Sequence, residues 1–306
     1  MTTLRMGTRA SRLALAQSGA FAARLTEVTG VDVEVVPVST EGDRTRTPLV
    51  EAGGAGVFVA ELREVLASGA VDFAVHSLKD IPTYPDERLT LAAIPEREDV
   101  RDVVVARDGL TLGELPAGSR VGTGAPRRVA QLSALGLGIE LVGVRGNVDT
   151  RIAKVTNGDL DAVVLARAGL LRLGREDEAT EVLDPIQVLP APGQGALAVE
   201  CRVDDLTTAG LLGQLDHADT RAAVTAERRL LAELEAGCSA PVGALAEVVS
   251  GDDGEELWLR AVVGDLTGTR SIRMSTTGSL ADAAAVGERL AAELLAEGAA
   301  TLVAAS

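Results

Sequence analysis

A cysteine in a turn of small residues is the first candidate for covalent chemistry in this sequence. Cys238 lies in the stretch EAGCSAPVG and is one of two cysteines in 306 residues. A free cysteine is most often a small buried hydrophobe, but Gly237, Ser239 and Pro241 indicate a turn that exposes the thiol. No nearby His or Asn/Asp supports a protease. Attachment of a cofactor to this thiol through a thioether is the alternative that remains. Cys201, in the apolar stretch ALAVECR, is assigned to packing.

A lysine and an aspartate follow an apolar stretch in FAVHSLKDIPT. Residues after a strand end face the ligand in an α/β sheet, so Lys79 and Asp80 could bind a substrate and move protons. The alternative is a local ion pair on a loop. His76 falls within the strand and is interpreted as a hydrogen-bonded core residue rather than a base.

Arginines recur after strand ends and at helix starts, in VGTGAPRRVAQL, VRGNVDTRIAKV and LARAGLLRLG. Pro126 suits a first helical position and Asn147 an N-cap, so helix dipoles and guanidiniums would converge on an anion. Taken alone, each arginine is more often a solvated surface residue than a ligand. Their recurrence at equivalent places favours a crevice for carboxylates or phosphates. The arginines concerned are Arg127, Arg128, Arg145, Arg151, Arg167 and Arg172.

The charge distribution agrees with such a crevice. The net charge is −16, yet residues 120–175 hold nine Arg/Lys against four Asp/Glu. The overall charge argues against binding to nucleic acid or an anionic membrane. The cysteine spacing argues against a disulfide scaffold and a zinc site, so no metal is expected and a reducing cytoplasm fits best. We also expect no signal peptide and no transmembrane helix.

The elements that must position these residues alternate between strands and helices, which predicts α/β units with parallel strands. Ser11 is a candidate N-cap for a first helix that ends near Gly30. The same pattern restarts after PEREDVRD, which predicts a second α/β domain. A further apolar strand follows LPAPGQG, and a final α+β part opens with a helix from about residue 218.

Two other functions share some of these features. A cytosolic anion receptor with two domains and no catalysis would use the crevice and the arginines, but it needs neither Asp80 nor Cys238. A nucleotide-dependent enzyme would use GTGAPRR for pyrophosphate, but the third glycine and the acidic ribose-binding partner are missing.

Ten motifs together resemble the hydroxymethylbilane synthase (porphobilinogen deaminase) family, in family order along nearly the whole chain. They are GTRASRLALAQ, STEGDR, GAGVFVAEL, DFAVHSLKDIPT, EREDVRD, VGTGAPRR, VRGNVDTR, LARAGLLRLG, LPAPGQGALAVECR and EAGCSAPVGA. The resemblance implies an α/β fold of three domains. The first two resemble type II periplasmic binding proteins, with mixed sheets and flanking helices, and the third is a small α+β domain. The expected boundaries are 1–95 plus 196–215, 100–190 and 218–306, so the GQGALAVECR strand returns to the first domain.

The resemblance also implies the reaction. Four porphobilinogen molecules condense head to tail with loss of ammonia on a covalent dipyrromethane cofactor, and the linear tetrapyrrole hydroxymethylbilane is then hydrolysed off. Cys238 matches the cysteine that anchors the cofactor, and Asp80 matches the catalytic aspartate, whose carboxylate can stabilise positive charge and mediate proton transfer.

The resemblance assigns a further set of residues to the acetate and propionate groups of the cofactor and growing polypyrrole chain. This set comprises Arg9, Ser11, Gln17, Ser77, Lys79, Thr123, Arg127, Arg128, Arg145, Arg151, Arg172 and Gln194. Two positions depart from the common family pattern, Ala55 in place of a lysine and Ala125 in place of a serine. The expected state is a cytoplasmic monomer that could pass its product to uroporphyrinogen III synthase.

Overall fold

A computed structural model of the chain describes residues 3–38, 59–236, 240–251 and 254–304. Cys238 and Ala55 lie outside the described residues. The chain divides into two compact units, Met1–Glu98 with Gly195–Arg221, and Asp99–Gln194 with Ala222–Ser306. Within the described ranges, no helix is long and apolar enough to cross a membrane.

The first unit is built on a mixed sheet with the strand order β2-β1-β3-β10-β4. Its strands are β1 (Thr3–Arg9), β2 (Asp32–Val38), β3 (Phe73–Ser77), β4 (Leu89–Ala93) and β10 (Leu197–Arg202). Its helices are α1 (Arg12–Thr29), α2 (Ala60–Ala67) and α6 (Leu206–Leu212), and α7 (Ala218–Glu233) begins in this unit.

Helix α1 begins and ends where its sequence signals predict. The side chain of Ser11 accepts a hydrogen bond from the N–H of Ala14, and Gly30 ends the helix in the left-handed conformation at φ 71°. Phe21 and Leu25 on its apolar face pack against Phe73 of β3 in the core on one side of the sheet. On the other side, Leu62 and Leu66 of α2 pack against Ala74.

Strand β10 carries the chain back into the first sheet, between β3 and β4 and antiparallel to both. The resemblance predicts this return of the GQGALAVECR segment. By contrast, β1 pairs with β2 and β3 in parallel. The parallel strands expected of the local β-α-β units and the mixed sheet implied by the resemblance are therefore both present, because β10 arrives antiparallel from a distant part of the chain.

The second unit contains a sheet of the same kind, with the order β7-β6-β8-β5-β9. The strands are β5 (Asp102–Ala106), β6 (Arg120–Gly122), β7 (Glu140–Val142), β8 (Ala162–Ala166) and β9 (Glu181–Val182). Strand β6 is parallel to both β7 and β8, whereas β5 is antiparallel to β8. The helices are α3 (Pro126–Ala134), α4 (Val148–Thr156) and α5 (Arg167–Leu173).

The C-terminal part of the second unit is α+β, as predicted. Its antiparallel sheet has the order β11-β12-β13, from β11 (Val242–Gly251), β12 (Gly254–Gly264) and β13 (Ser271–Gly278). Helices α7, α8 (Ala283–Ala296) and α9 (Ala299–Ala304) pack against it, with Leu230, Leu259 and Leu290 in the shared core.

Candidate functional site

The candidate residues of the first unit lie at the carboxyl edge of its sheet. β1 ends at Arg9 and β3 ends at Ser77. Because β1 and β3 are parallel, the segments that follow them leave from the same edge, where α/β sheets present ligand-binding loops. Ser11 and the pair Lys79 and Asp80 are therefore on that edge.

Asp80 closes a single 3-10 turn, Leu78–Asp80, directly after β3. Leu78 is fully buried and its N–H donates to Ala196 O at 3.0 Å, so the turn is held against the body of the unit. Lys79 and Asp80 are half-buried. Among the residues that the structure describes, Asp80 forms no ion pair, so the local Lys79–Asp80 pair considered above does not form.

Gln17 supports the segment before Asp80. This side chain is 5% exposed, on the inner face of α1. The Ser77 hydroxyl donates to Gln17 Oε1 at 3.3 Å, which ties the end of β3 to α1. Ser11 uses its hydroxyl as the N-cap of the same helix. The structure thus gives three of the candidate polar side chains local partners beside the Asp80 turn.

The arginines of the second unit leave the equivalent edge of its sheet. β6, β7 and β8 are parallel, and the three arginine-containing segments follow their carboxyl ends. Arg145 is exposed, and Arg151 and Arg172 are half-buried. Arg151 Nε donates to Gly146 O at 2.8 Å, and Asn147 caps α4 as predicted by accepting from Thr150 N–H.

Arg127 and Arg128 differ from these arginines because they are buried against one carboxylate. Arg127 donates to both oxygens of Asp102 at 2.7 and 3.1 Å. Arg128 also donates to both, at 3.1 and 2.7 Å. Asp102 is 0% exposed and the two arginines are 4% and 5% exposed. The two guanidiniums are thus fixed inside the unit, at the start of α3.

Gln194 completes this cluster. Its Nε2 donates to Asp102 Oδ1 at 2.8 Å, and its Oε1 accepts from Arg127 at 3.0 Å. Thr123, 1% exposed, lies just before α3 and accepts a hydrogen bond from Ala125 N–H. Three of the candidate residues, Arg127, Arg128 and Gln194, therefore meet around an aspartate that the sequence reasoning did not select.

The cluster carries an excess positive charge, because two guanidiniums share one carboxylate. Burial alone would raise the pKa of Asp102, but the charges of Arg127 and Arg128 hold it well below its usual range. Burial lowers the pKa of Arg127, against the attraction of Asp102. The Nε of Arg127 is buried and has no hydrogen-bond partner among the described residues. The region around this cluster therefore favours an anion.

A close backbone approach explains one glycine of the GTGAPRR segment. A Cβ on Gly124 would lie 2.5 Å from the carbonyl oxygen of Val144. Only glycine permits this contact between the segments that follow β6 and β7 and lead to Arg127 and Arg145. The glycine thus keeps these two segments of the edge together.

Sequence reasoning missed Asp102 because it assumed parallel strands. Asp102 begins β5, and in a parallel strand its first residue would lie at the opposite edge. β5 is antiparallel to β8, with Asp102 paired to Ala166, the last residue of β8. This register places Asp102 at the arginine edge. The available signal was an aspartate, in EREDVRD, directly before an apolar strand.

The described residues on either side of Cys238 are held together by Glu227. Its side chain is 0% exposed on α7. Its carboxylate accepts from Ala246 N–H of β11 at 2.8 Å and from Gly193 N–H at 2.6 Å. Helix α7 precedes Cys238 in the chain and β11 follows it, so this buried carboxylate joins the two elements between which the cysteine lies in the sequence.

Comparison with known proteins gives matches along nearly the whole chain. The family model "Porphobilinogen deaminase, dipyromethane cofactor binding domain" matches residues 4–210. The model "Porphobilinogen deaminase, C-terminal domain" matches residues 221–296. The chain is 59% identical over 309 residues to porphobilinogen deaminase 1 of Streptomyces coelicolor, covering 98% of this chain and 97% of the relative. It is 58% identical over 305 residues to the Mycobacterium tuberculosis porphobilinogen deaminase, covering 98% of each.

Solved structures that align with this chain are much more distant in sequence than these relatives. The methionine binding protein MetQ aligns with a TM-score of 0.46 and 12% identity, over 70% of this chain and 89% of MetQ. The VFT2 domain of Bordetella pertussis BvgS aligns with a TM-score of 0.41 and 18% identity, over 70% of this chain and 86% of that domain. The family matches, by contrast, cover most of both units. This chain belongs to the porphobilinogen deaminase family.

Proposed function

We propose that this chain is a transferase of tetrapyrrole biosynthesis that condenses four porphobilinogen molecules head to tail. Ammonia leaves at each addition, and hydrolysis releases hydroxymethylbilane. The observation that carries the proposal is the placement of Asp80 at the carboxyl edge of the first sheet and of five arginines at the carboxyl edge of the second. An acidic group for proton transfer and cations for pendant carboxylates are what this reaction requires.

Asp80 is the proposed catalytic residue. Loss of ammonia develops positive charge on the substrate pyrrole, and a fixed carboxylate stabilises that charge and exchanges protons with pyrrole N–H groups. The buried Leu78 anchor holds the turn that carries Asp80. Lys79, Arg9 and Ser11 at the same edge bind substrate carboxylates, and Gln17 acts through Ser77.

The chemistry of the second unit fits the dipyrromethane cofactor. The cofactor, when bound, supplies the covalent primer to which substrate is added. Its acetate and propionate groups need cations, and the buried pair Arg127 and Arg128 exceeds the charge of Asp102 by one. Arg145, Arg151 and Arg172 extend the positive edge. Cys238 provides the thioether sulfur of the attachment, and Glu227 holds the flanks of its segment.

The three domains of this proposal have the boundaries 1–95 with 196–215, 100–190 and 218–306. They divide the chemistry into the Asp80 loop, the arginine-rich anion site and the cofactor-bearing segment. The chain acts as a monomer in the cytoplasm and transfers a product that the next enzyme, uroporphyrinogen III synthase, cyclises. Size-exclusion chromatography with light scattering tests the monomer, and the molar mass of a dimer would contradict it.

The reaction is tested by incubating the purified chain with porphobilinogen. We expect one ammonia per porphobilinogen consumed and a linear tetrapyrrole as the released product. Binding of porphobilinogen without release of ammonia would contradict the proposal and would favour an anion receptor instead.

A further inference from the structure

A second buried charge cluster lies in the first unit, on the face of the sheet covered by α2. It consists of Arg63 from α2, Glu200 from β10 and His76 from β3. Their exposed fractions are 8%, 4% and 5%. The ladder pairs Ala198 with His76 and Glu200 with Ala74, and side chains alternate between the faces of a strand. His76 and Glu200 are therefore diagonal neighbours on one face of the sheet.

Arg63 and Glu200 form a two-point ion pair. Arg63 Nε donates to Glu200 Oε2 at 3.0 Å, and Arg63 Nη2 donates to Oε1 at 2.7 Å. Although burial alone would raise it, the pKa of Glu200 is lowered to about 2 by His76 and Arg63. The carboxylate is thus charged at any pH at which the protein works, and its orientation is fixed by the planar guanidinium.

The imidazole of His76 faces this carboxylate. Its Nε2 lies 3.3 Å from Glu200 Oε2 and has no well-aligned hydrogen-bond partner among the described residues. A bare Nε2 lone pair would be repelled by a carboxylate at this distance, so Nε2 must carry the proton. An imidazolium would add a second cation to a buried pair that is already neutral, which is costly. The remaining state is the neutral imidazole with its proton on Nε2.

The position of His76 in the chain links this cluster to the reaction. His76 precedes Ser77, the last residue of β3, and Asp80 follows four residues after His76. The segment between them is held by Ser77 Oγ to Gln17 and by Leu78 N–H to Ala196 O. His76 also contacts the charged carboxylate of Glu200. This contact lies on the face of β3 opposite to Phe73 and Val75, which pack against α1.

We propose that Glu200 is a positioning residue for Asp80: oriented by Arg63, it holds the His76 imidazole as the neutral Nε2–H form and so fixes the end of β3 from which the Asp80 turn begins. The proposal rests on the assignment of Asp80 under the proposed function. It assigns no proton transfer to His76, whose Nε2 proton faces the Glu200 carboxylate at 3.3 Å.

Replacing His76 by glutamine or by asparagine tests whether a donor at the position of Nε2 is what matters. The amide nitrogen of glutamine can occupy nearly the position of Nε2, whereas that of asparagine is too short to reach it. We expect His76→Gln to retain kcat within about threefold of wild type, because a donor to Glu200 remains. We expect His76→Asn and Glu200→Gln to lower kcat by about tenfold or more with KM little changed, because a misplaced catalytic group slows the chemical step. Glu64→Gln, in an exposed pair on the same helix as Arg63, is the matched control and should match wild type.

A spectroscopic measurement tests the tautomer without using activity. The chain contains two histidines, so a His217→Gln variant labelled with 15N gives imidazole signals from His76 alone. The proposal predicts that the His76 signals show the proton on Nε2 in holoenzyme. The Nδ1–H tautomer would overturn it, as would wild-type kcat in Glu200→Gln or a tenfold loss in His76→Gln. If wild type itself consumes no porphobilinogen, the proposed function fails, and the tautomer still decides the geometry of the cluster.

Discussion

Arg127 and Asp102 form a two-point ion pair inside the second unit, and Arg128 forms another with the same carboxylate. Among the described residues, Asp102 is thus the single counter-charge for two buried guanidiniums. The motif alone would assign these two arginines to ligand binding, but in the structure both are held by the carboxylate of Asp102. The aspartate gives the pair its orientation, and the pair gives the sheet edge its positive charge.

Asp102→Asn should destabilise the second unit. The change leaves two buried guanidiniums without their counter-charge, and breaking a buried pair in this way costs about 3 kcal/mol or more. Fluorescence of Trp258, the single tryptophan in the sequence, follows urea unfolding of the unit that contains it. Asp108→Asn, in an exposed pair with Arg107, should change stability by less than about 0.5 kcal/mol. Equal unfolding midpoints for the two variants would contradict the account of the cluster.

Arg127→Leu and Arg128→Leu should each impair assembly of the holoenzyme. Either change removes a cation from the edge and leaves Asp102 with one arginine. Intact mass after incubation with porphobilinogen gives the fraction of chains that carry the cofactor. A holoenzyme yield equal to that of wild type in both variants would argue against the carboxylate-binding role of this pair.

Asp80→Asn should abolish most turnover and leave the fold and the cofactor in place. Asparagine keeps the shape of the side chain but loses the negative charge and the basic oxygen, and general acid–base groups contribute about 100-fold to 10,000-fold to rate. Turnover is measured as ammonia release, beside the intact mass of the same preparation. Asp32→Asn is the control, because Asp32 is exposed at the start of β2, at the edge of the sheet opposite to the Asp80 turn. Wild-type turnover in Asp80→Asn would remove Asp80 from the mechanism.

Glu200 should make stability depend on pH in acid. Its pKa is lowered from 4.5 to about 2 in the folded state, so the folded state prefers the charged form. This contribution is fully present above about pH 4.5 and is lost as the pH falls towards 2. Glu200→Gln should therefore lose less stability than wild type across this window. Thermal unfolding followed by circular dichroism tests this, and parallel curves of Tm against pH would disprove it.

Cys201 should be unreactive in the folded protein. It is 0% exposed, and burial raises the pKa of its thiol to about 11, so the nucleophilic thiolate is scarce and inaccessible. In a Cys238→Ser variant, a thiol reagent at pH 8 should react with Cys201 only after urea is added. Rapid reaction of the native variant would show that Cys201 is accessible, and it would undermine selective chemistry at Cys238.

Local signals predicted the ends of the elements well. Ser11 and Gly30 bound α1, and Asn147 caps α4, because caps depend on residues a few positions apart. The order of strand followed by helix predicted that the arginines lie at the carboxyl edge of the sheet. These features need only neighbouring residues, so a single sequence contains enough information for them.

The two buried charge clusters could not be predicted in this way. Asp102 meets Arg127 because β5 is antiparallel to β8, and Glu200 meets Arg63 and His76 because β10 returns to the first sheet. Both pairings join residues that are far apart in the sequence, or strands whose direction no local pattern fixes. The resemblance to the family predicted the return of β10 but not what Glu200 contacts there.

The central claim is that a cofactor made from the substrate is attached through Cys238. The measurement that tests it most directly is the intact mass of the purified protein beside that of its Cys238→Ser variant, before and after incubation with porphobilinogen. The account predicts an added mass equal to two porphobilinogens less two ammonias on wild type, and none on the variant. The same added mass on Cys238→Ser, or an unmodified wild type after incubation, would contradict it.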